Sequence, residues 1–267
     1  MKYRTLGKTG LNVSVVGLGG IPVQRITPEK TRELLERLVQ LGVNFIDTAR
    51  GYTVSEEYLG AALEGMRDKF YLATKSMSRD YEHMAADVET SLSNLRTDHI
   101  DLYQLHNIKT QADFELAFSD KGAVAALQDA VKAGKVRHIG ATAHSVDALA
   151  ELLRHPEIET VMFPYNIVEN QGEALFAQAK LQNVGVIVMK PMAGGSIEDG
   201  TLAMRYILRN ENCTVAIPGM AELAEAEENA AAAGIEGPLT EDELARIETI
   251  REQLSGNFCR RCGYCAP

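Results

Sequence analysis

Short apolar runs alternate with longer helical stretches along most of this chain, and this alternation restricts the fold more than any other feature. The runs are nearly continuous in apolar residues, which is typical of strands that are buried on both faces of a parallel sheet. The pattern therefore predicts an α/β fold and argues against a half-exposed antiparallel sheet. The predicted strands are Val13–Leu18, Val43–Ile46, Phe70–Ala73, Ile100–Leu105, His138–Ala141, Thr160–Phe163, Val184–Met189 and Thr214–Ile217.

The stretches between these runs carry helix boundary signals. Thr27 can cap a helix whose first residue is Pro28, and Gly42 is a stop signal after it. Ser55 and Thr240 are predicted to open later helices, and Thr240 has a glutamate three residues on, the spacing of a capping box. The signals thus predict a helix after most of the strands.

Eight strand-helix units of about 30 residues each have the usual size of a (β/α)8 TIM barrel. The alternative is a doubly wound sheet, which normally carries a glycine-rich phosphate loop after its first strand. Gly17-Leu18-Gly19-Gly20 is the candidate for such a loop, but it lacks the third glycine at the required offset. We therefore predict a barrel over residues 1–255 and a separate short segment over residues 256–267.

The charge balance excludes several classes of partner. The chain has 27 basic and 37 acidic residues, a net charge of −10, which disfavours binding to nucleic acid or to an anionic membrane surface. The N-terminus lacks the apolar segment of a signal peptide, and no stretch approaches the length of a membrane-spanning helix. We expect a cytoplasmic protein that acts on a small molecule.

Four polar side chains follow three consecutive predicted strands, where a barrel carries its functional residues. They are Asp47, Tyr52, Lys75 and His106. A lysine ammonium would lower the pKa of a nearby tyrosine by about one or two units, and a buried aspartate would keep that lysine charged. A histidine could then orient a carbonyl oxygen, so the set suits general acid catalysis of carbonyl reduction. The competing interpretation is that the aspartate and lysine form a structural salt bridge at the end of the barrel, with the tyrosine in the core by coincidence.

These positions carry a resemblance to a known family. Asn44–Tyr52, Lys75 after its strand and Leu102–His106 resemble the aldo-keto reductases, as do the N-terminal segment Tyr3–Gly10 and the segment Ile217–Asn229. The resemblance implies a TIM barrel with an N-terminal β-hairpin. It also implies hydride transfer between NAD(P)H and an aldehyde or ketone, or an alcohol in reverse. Asp47, Tyr52, Lys75 and His106 match the family's catalytic tetrad, with Tyr52 as the general acid.

The resemblance further implies which residues bind the nicotinamide cofactor. Where the family often has Ser-Asn, this chain has Thr142-Ala143, and Met162 stands where a glutamine is common. Glu225 takes the place usually held by an arginine, so we expect a weakened preference for NADPH and a plausible use of NADH. The implied cofactor residues are Gly20, Asp47, Thr142, Asn166, Lys190, Pro191, Ile217, Gly219, Met220, Glu228 and Asn229.

Methionines and a histidine near the carboxyl ends of the predicted strands also have interpretations that involve no catalytic role. Met162, Met189 and Met192 are expected to be core filler, as methionine often is. His144 follows the fifth predicted barrel strand, and it either lines a substrate pocket or supports its own loop.

Three cysteines near the end of the chain form a separate motif. Cys259, Cys262 and Cys265 have the C-x2-C-x2-C spacing that opens a bacterial ferredoxin run. The chain resembles the aldo-keto reductases that carry a C-terminal ferredoxin-like 4Fe-4S segment, in which a fourth cysteine would be expected just after Pro267. Other possibilities are a three-iron or labile cluster, zinc with an outside ligand, or free thiols.

Three functions follow from these observations. The complete tetrad favours an NAD(P)-dependent oxidoreductase. A non-catalytic, cofactor-sensing regulatory barrel is the first alternative, because a fold alone does not establish turnover. The second is an iron–sulfur electron-transfer protein, which rests on the cysteines alone and implies a redox partner.

Overall fold

The computed structural model describes residues 1–254. Within these residues, ten strands form two sheets. A hairpin of β1 (Tyr3–Thr5) and β2 (Asn12–Ser14) comes first. Eight parallel strands then pair in chain order: β3 (Leu18–Gly19), β4 (Phe45–Asp47), β5 (Tyr71–Ser76), β6 (Ile100–Leu105), β7 (Val136–Thr142), β8 (Thr160–Pro164), β9 (Gly185–Met189) and β10 (Val215–Ala216).

The eight-stranded sheet curls until its first and last strands meet. Parallel bridges join Val16 to Ala216 and Gly19 to Gly219. The curled parallel sheet with helices between its strands is consistent with the predicted (β/α)8 barrel, and the predicted N-terminal hairpin is present. The proposed segment of residues 256–267 lies outside the described residues.

The helices follow the strands. They are α1 (Pro28–Gln40), α2 (Ser55–Ala62), α3 (Tyr81–Asn94), α4 (Gln111–Ala117), α5 (Ala123–Lys132), α6 (Val146–Leu152), α7 (Glu173–Leu181), α8 (Gly200–Leu208), α9 (Leu223–Ala232) and α10 (Glu241–Leu254). No helix in the range 1–254 is both long and apolar enough to cross a membrane. The cytoplasmic location stays a prediction.

Most of the predicted helix signals are confirmed. Thr27 caps α1, its Oγ1 accepting a hydrogen bond of 3.3 Å from the amide of Lys30. Thr240 and Glu243 form the predicted capping box at α10. Ser55 opens α2 as predicted, as the first residue of the helix, and its hydroxyl donates 2.9 Å to the carbonyl of Gly20. The serine therefore joins the β3 loop to α2 and does not cap the helix.

The predicted first strand, Val13–Leu18, is wrong as a single element. Val13 pairs with Arg4 in the hairpin, whereas Leu18 pairs with Ile46 in the barrel. Both parts are buried, so the apolar run continues through the change of partner and hydropathy alone does not reveal it. Side chains of the hairpin segment pack with side chains of the barrel strands in one apolar cluster inside the barrel. The hairpin therefore closes the amino end of the barrel. The inner cluster includes Leu6, Leu11, Val13, Phe45, Leu102 and Ile187.

Candidate active site

A buried ion pair lies at the carboxyl end of the barrel. Asp47 ends β4 and Lys75 lies on the neighbouring β5, and each is 2% exposed. The Lys75 ammonium donates to Asp47 Oδ2, and it also donates 2.8 Å to the carbonyl of Thr48. Gln104 on β6 donates 3.0 Å to the other oxygen, Asp47 Oδ1. Both oxygens of the carboxylate are therefore held by donors on adjacent strands.

The charge of Lys75 is maintained by its neighbours. Burial alone would lower the pKa of this lysine, but the Asp47 carboxylate and the Tyr52 phenol outweigh that effect, and the pKa of Lys75 is raised. Lys75 is therefore an ammonium at neutral pH.

Tyr52 and His106 complete the predicted set of four. Tyr52 lies in the loop after β4, and the Lys75 Nζ atom is 4.9 Å from the centroid of its ring. His106 directly follows β6, and its ring meets the Tyr52 ring edge-on, with centroids 6.0 Å apart and planes at 87°. The structure thus brings the four side chains together, because β4, β5 and β6 are neighbours in the sheet.

The predicted pKa shift of Tyr52 is wrong in direction. Burial raises the pKa of the phenol, the Lys75 ammonium opposes this, and the Asp47 carboxylate adds to the rise. The net effect is a raised pKa, because the loss of water around the phenol outweighs the attraction of one ammonium already paired with a carboxylate. Tyr52 is consequently a protonated phenol at neutral pH, with a proton to give.

His106 is electrically neutral over the physiological range. Burial, reinforced by the positive charges of Lys75 and Arg79 and by the neighbouring His144, lowers the pKa of its imidazole to about 3. The buried Nδ1 atom has no hydrogen-bond partner among the residues that the structure describes. A neutral imidazole keeps one donor and one acceptor nitrogen, so it can orient a polar ligand without adding charge.

The four side chains line a cleft with a volume of about 560 Å³. Most of the predicted cofactor residues also line it: Gly20, Asp47, Thr142, Lys190, Pro191, Ile217 and Gly219. Glu225, the residue at the expected arginine position, is another part of the lining.

Asn166, another predicted cofactor residue, is not part of the cleft lining. It is fully buried, and its side-chain amide donates 3.1 Å to Glu169 and 3.0 Å to the carbonyl of Lys190. Its Oδ1 atom accepts from the amides of Val168 and Glu169. Asn166 therefore holds the loop after β8 against Lys190, and a direct cofactor contact stays a prediction.

Three further predicted cofactor residues lie around α9 and outside the cleft lining. Met220 is fully buried, and Glu228 accepts a hydrogen bond of 3.3 Å from the hydroxyl of Thr201. Asn229 donates 2.7 Å to the carbonyl of Glu225, while its buried Oδ1 atom finds no partner within residues 1–254. Their roles also stay predictions.

Several cleft residues were missed or interpreted differently from the sequence. Met162, Met189 and Met192, expected as core filler, line the cleft, although Met162 is 1% exposed and also belongs to the inner core cluster. His144, predicted either to line a pocket or to support its own loop, lines the cleft, and its Nδ1 lies 2.9 Å from Asn107 Oδ1. The available signal was their position in the last residues of a strand or in the loop after it. Residues with no such prediction are Gly19, Ile21, Pro22, Gly194 and Gly195.

The described part of the chain shows no metal site. Over residues 1–254, no group of three or more histidine, cysteine, aspartate or glutamate side chains could hold an ion. Cys213 is buried, and burial raises the pKa of its thiol to about 12. Cys259, Cys262 and Cys265 lie outside the described residues, so this finding does not bear on them.

The fold and the site define a TIM-like barrel protein with a tyrosine, a lysine ion pair and a neutral histidine at one cleft. The chain belongs to the aldo/keto reductase family, whose model matches residues 15–201. It is similar to L-galactose dehydrogenase of Arabidopsis thaliana, with 26% identity and 95% of each chain covered. It is also similar to 6-dehydroglucose reductase of Novosphingobium aromaticivorans, with 28% identity over 98% of this chain and 93% of the relative.

The similarity extends to solved structures. An aldo-keto reductase from Bacillus halodurans, in its holo form, superposes with a TM-score of 0.79 at 25% identity, covering 94% of this chain and 96% of that one. An aldo/keto reductase from Klebsiella pneumoniae, in complex with NADP and acetate, has the same TM-score at 23% identity, with 94% and 96% covered. At this identity, the second match is evidence for the fold alone.

Proposed function

We propose that this chain is an oxidoreductase that transfers a hydride between a nicotinamide cofactor and an aldehyde or ketone, or an alcohol in reverse. The observation that carries the proposal is the meeting of Asp47, Tyr52, Lys75 and His106 at one cleft. Membership of the aldo/keto reductase family supports it, as do the names of the two relatives, a dehydrogenase and a reductase.

The cleft fits a nicotinamide cofactor in size and in lining. Its volume of about 560 Å³ falls within the range of roughly 300–1,000 Å³ that is usual for ligand sites. Gly194 and Gly195 lie on the cleft with φ of +72° and +97°, and a Cβ atom added to either would meet no protein atom within 4 Å. The backbone there is open to close approach by a ligand. Thr142, Lys190 and Gly219 would then hold the cofactor beside the tetrad.

Each member of the tetrad has a distinct role in this proposal. When bound, the reduced nicotinamide supplies a hydride to the carbonyl carbon. The carbonyl oxygen takes the proton of Tyr52, which yields the alcohol, and solvent returns a proton to Tyr52. Lys75 stabilises the tyrosinate left behind, Asp47 holds Lys75 in place, and neutral His106 donates a hydrogen bond to the carbonyl oxygen.

The test is the oxidation of NADH and NADPH with a panel of aldehydes and ketones. Tyr52→Phe should retain cofactor binding and lose turnover by a factor of about 10²–10⁴, the usual contribution of general acid catalysis. Tyr81→Phe is the matched control, since Tyr81 lies on α3 and its hydroxyl contacts Asp129. Cofactor binding without turnover in the wild type would favour the regulatory alternative, and a fast Tyr52→Phe would remove Tyr52 from the mechanism.

We also propose that NADPH is not strongly preferred over NADH. Glu225 lies on the cleft, and its carboxylate accepts hydrogen bonds of 2.7 and 3.0 Å from the amides of Ala221 and Glu222. A carboxylate repels a phosphate and cannot make the bidentate contact of an arginine. Glu225→Arg should strengthen NADPH binding at least tenfold relative to NADH, whereas Glu222→Arg should not. Wild-type binding of NADPH a hundredfold tighter than NADH would contradict the proposal.

The terminal cysteines carry a separate proposal. We infer from the C-x2-C-x2-C spacing that Cys259, Cys262 and Cys265 belong to an iron–sulfur segment over residues 256–267, appended to a barrel of residues 1–255. Such a cluster would exchange electrons with a redox partner. Anaerobically purified protein should show visible cluster absorption that Cys262→Ser abolishes, and a colourless wild type would overturn the idea.

A further inference from the structure

A second buried carboxylate lies behind the loop that carries Tyr52. Glu56 on α2 is 1% exposed. Its Oε1 atom accepts hydrogen bonds of 2.8 Å from the hydroxyls of both Thr74 and Ser91. Its Oε2 atom accepts 2.7 Å from Arg50 and 3.3 Å from Asn94. The tetrad does not include this carboxylate, and it is not part of the cleft lining given above.

Arg50 connects Glu56 to the catalytic loop. It lies between Asp47 and Tyr52 in the chain, and its backbone amide donates 3.0 Å to the carbonyl of Lys75. Its guanidinium binds Glu56 and lies 3.5 Å from Asp87. Arg50 therefore attaches the loop to β5 through its backbone and to α2 through its side chain.

The pairing reaches both halves of the proton-donating site. Thr74 and Lys75 are neighbours on β5, and successive side chains of a strand point to opposite faces. Lys75 binds Asp47 on one face, while Thr74 binds Glu56 on the other. One carboxylate thus holds the strand that carries Lys75 and, through Arg50, the loop that carries Tyr52.

Arg50 and Glu56 carry opposite charges, which strengthens the hydrogen bond between them. Burial alone would lower the pKa of Arg50, but the hydrogen bond and the charge of Glu56, together with Asp87, outweigh it, and the pKa is raised. Hydrogen bonds between ionised partners are shorter and stronger than neutral ones, and arginine holds its direction through a planar fork. The connection is therefore a charge-assisted hydrogen bond between a buried carboxylate and a partly exposed guanidinium.

We propose that Arg50 and Glu56 are positioning residues that fix the Tyr52 loop against the strand of Lys75. This inference rests on the proposed function and deepens it, because it concerns where the proton donor stands. A displacement of about 1 Å at a reacting group can cost on the order of a hundredfold in rate. Neither residue touches the reacting atoms, so their effect passes through Tyr52 and Lys75.

Glu56→Gln tests the proposal, because it keeps the side-chain length and one acceptor oxygen but removes the charge that holds Arg50. We expect kcat to fall by about 10–100-fold, while the dissociation constants of NADH and NADPH stay within about twofold. Asp101→Asn is the matched control. Like Glu56, Asp101 is a buried carboxylate paired with an arginine, 2% exposed and bound to Arg67, but it lies on β6 at the amino end of the barrel. The substitution should lower stability and leave kcat within about twofold.

A double-mutant cycle separates positioning from a general loss of structure. Arg50→Gln keeps the folding risk low because the Arg50 side chain is 26% exposed. If the two residues act as a unit, Arg50→Gln/Glu56→Gln should lower kcat no further than either single change. Losses in kcat that multiply, or a Glu56→Gln loss matched by Asp101→Asn, would overturn the proposal.

A second readout does not depend on turnover. The absorbance of tyrosinate is followed against pH, and the curve of the Tyr52→Phe protein is subtracted from that of the protein with Tyr52. The difference is the titration of Tyr52 alone, and it is measured with and without Glu56→Gln. The proposal expects a higher titration midpoint for Tyr52 in Glu56→Gln, because the phenol moves away from the Lys75 ammonium. An unchanged midpoint together with an unchanged kcat would refute the positioning role. If the wild type turns over no carbonyl, the proposed function fails, and the titration still decides the positioning role.

Discussion

The two ends of the barrel each carry a buried strand carboxylate paired with a cation, but the pairs differ in surroundings. At the carboxyl end, Asp47 binds Lys75 beside the cleft of about 560 Å³. At the amino end, Asp101 on β6 accepts 2.8 Å from Arg67, 3.1 Å from Arg137 and 2.9 Å from the amide of Leu72. Protein donors bind both carboxylates, but only the first pair lines a cleft that also contains Tyr52 and His106.

The difference lies in how the cations are used. Arginine is a rigid fork suited to holding carboxylates, and Arg67 also donates to the carbonyls of Phe70 and His99, so it joins several segments. Lysine is a point charge with three donors. Two of them go to Asp47 and Thr48, and the ammonium lies over the Tyr52 ring, at the edge of the cleft. The amino-end pair holds structure, while the carboxyl-end pair faces space for a ligand.

A cavity alone does not distinguish the two ends. The amino end also has a cleft, of about 400 Å³, lined by Arg4, Lys180 and Glu211 among others. There the Arg4 guanidinium donates to the carbonyls of Leu208, Asn210 and Cys213, so its hydrogen bonds serve the fold. The chemistry of the lining, and not the presence of a cleft, is what supports the proposed site at the carboxyl end.

The largest expected effect comes from neutralising the carboxyl-end pair. Asp47→Asn/Lys75→Met should reduce carbonyl turnover by a factor of about 10²–10⁴, because the tyrosinate loses its ammonium. Folding stability should fall less than in Asp47→Asn alone, since removing both charges leaves no unpaired buried ion. Steady-state rates and urea unfolding measure the two effects. A double variant that turns over normally would contradict the role of Lys75.

The amino-end pair should show the reverse profile. Asp101→Asn leaves Arg67 without its buried partner, and we expect a loss of about 3 kcal/mol in the free energy of unfolding. The value of kcat/KM should change by less than about twofold, because Asp101 lies at the other end of the barrel from Tyr52. Denaturant unfolding and steady-state kinetics test both parts. A large loss of activity at unchanged stability would break the comparison.

The tetrad was predictable because its signal is local. Asp47, Lys75 and His106 each follow or end an apolar run, and in a parallel barrel such positions meet at one face whatever the packing details. The direction of the Tyr52 pKa shift was not predictable in this way. It depends on how much water the folded loops remove from the phenol, which is a property of the whole cleft.

Contacts that depend on which helix packs on which strand were also beyond the sequence. Glu56 looks like an ordinary first-turn acid of an amphipathic helix, but α2 packs so that it is buried against Thr74 and Ser91. Asn166 followed a strand just as Thr142 did, yet its amide is used by the loop around it. A position at a strand end therefore predicts that a residue lies at the carboxyl end of the barrel. Which way its side chain points there can be read only from the folded structure.

The smallest expected effect is on the pH dependence of folding stability, through the neutral side chain of His106 at the carboxyl-end cleft. The folded-state pKa of His106 is about 3, against 6.5 for an ordinary histidine. Between these values the unfolded chain binds a proton that the folded chain does not, so His106 lowers stability as the pH falls below about 6.5. Between pH 6.5 and 4.5 the cost is about 2–3 kcal/mol, from about 1.4 kcal/mol per pH unit. His106→Asn should remove this part of the acid dependence in urea unfolding.

His83 provides a control of opposite sign. It is exposed, and its hydrogen bond to Asp80 raises the pKa of its imidazole. The folded chain then holds that proton more tightly, so His83 adds stability below its unfolded-state pKa and loses the contribution as the pH rises through the folded-state pKa. His83→Asn should therefore make the protein slightly less stable in acid, where His106→Asn makes it relatively more stable. Equal acid profiles for the two variants would show that burial at the cleft does not keep His106 neutral.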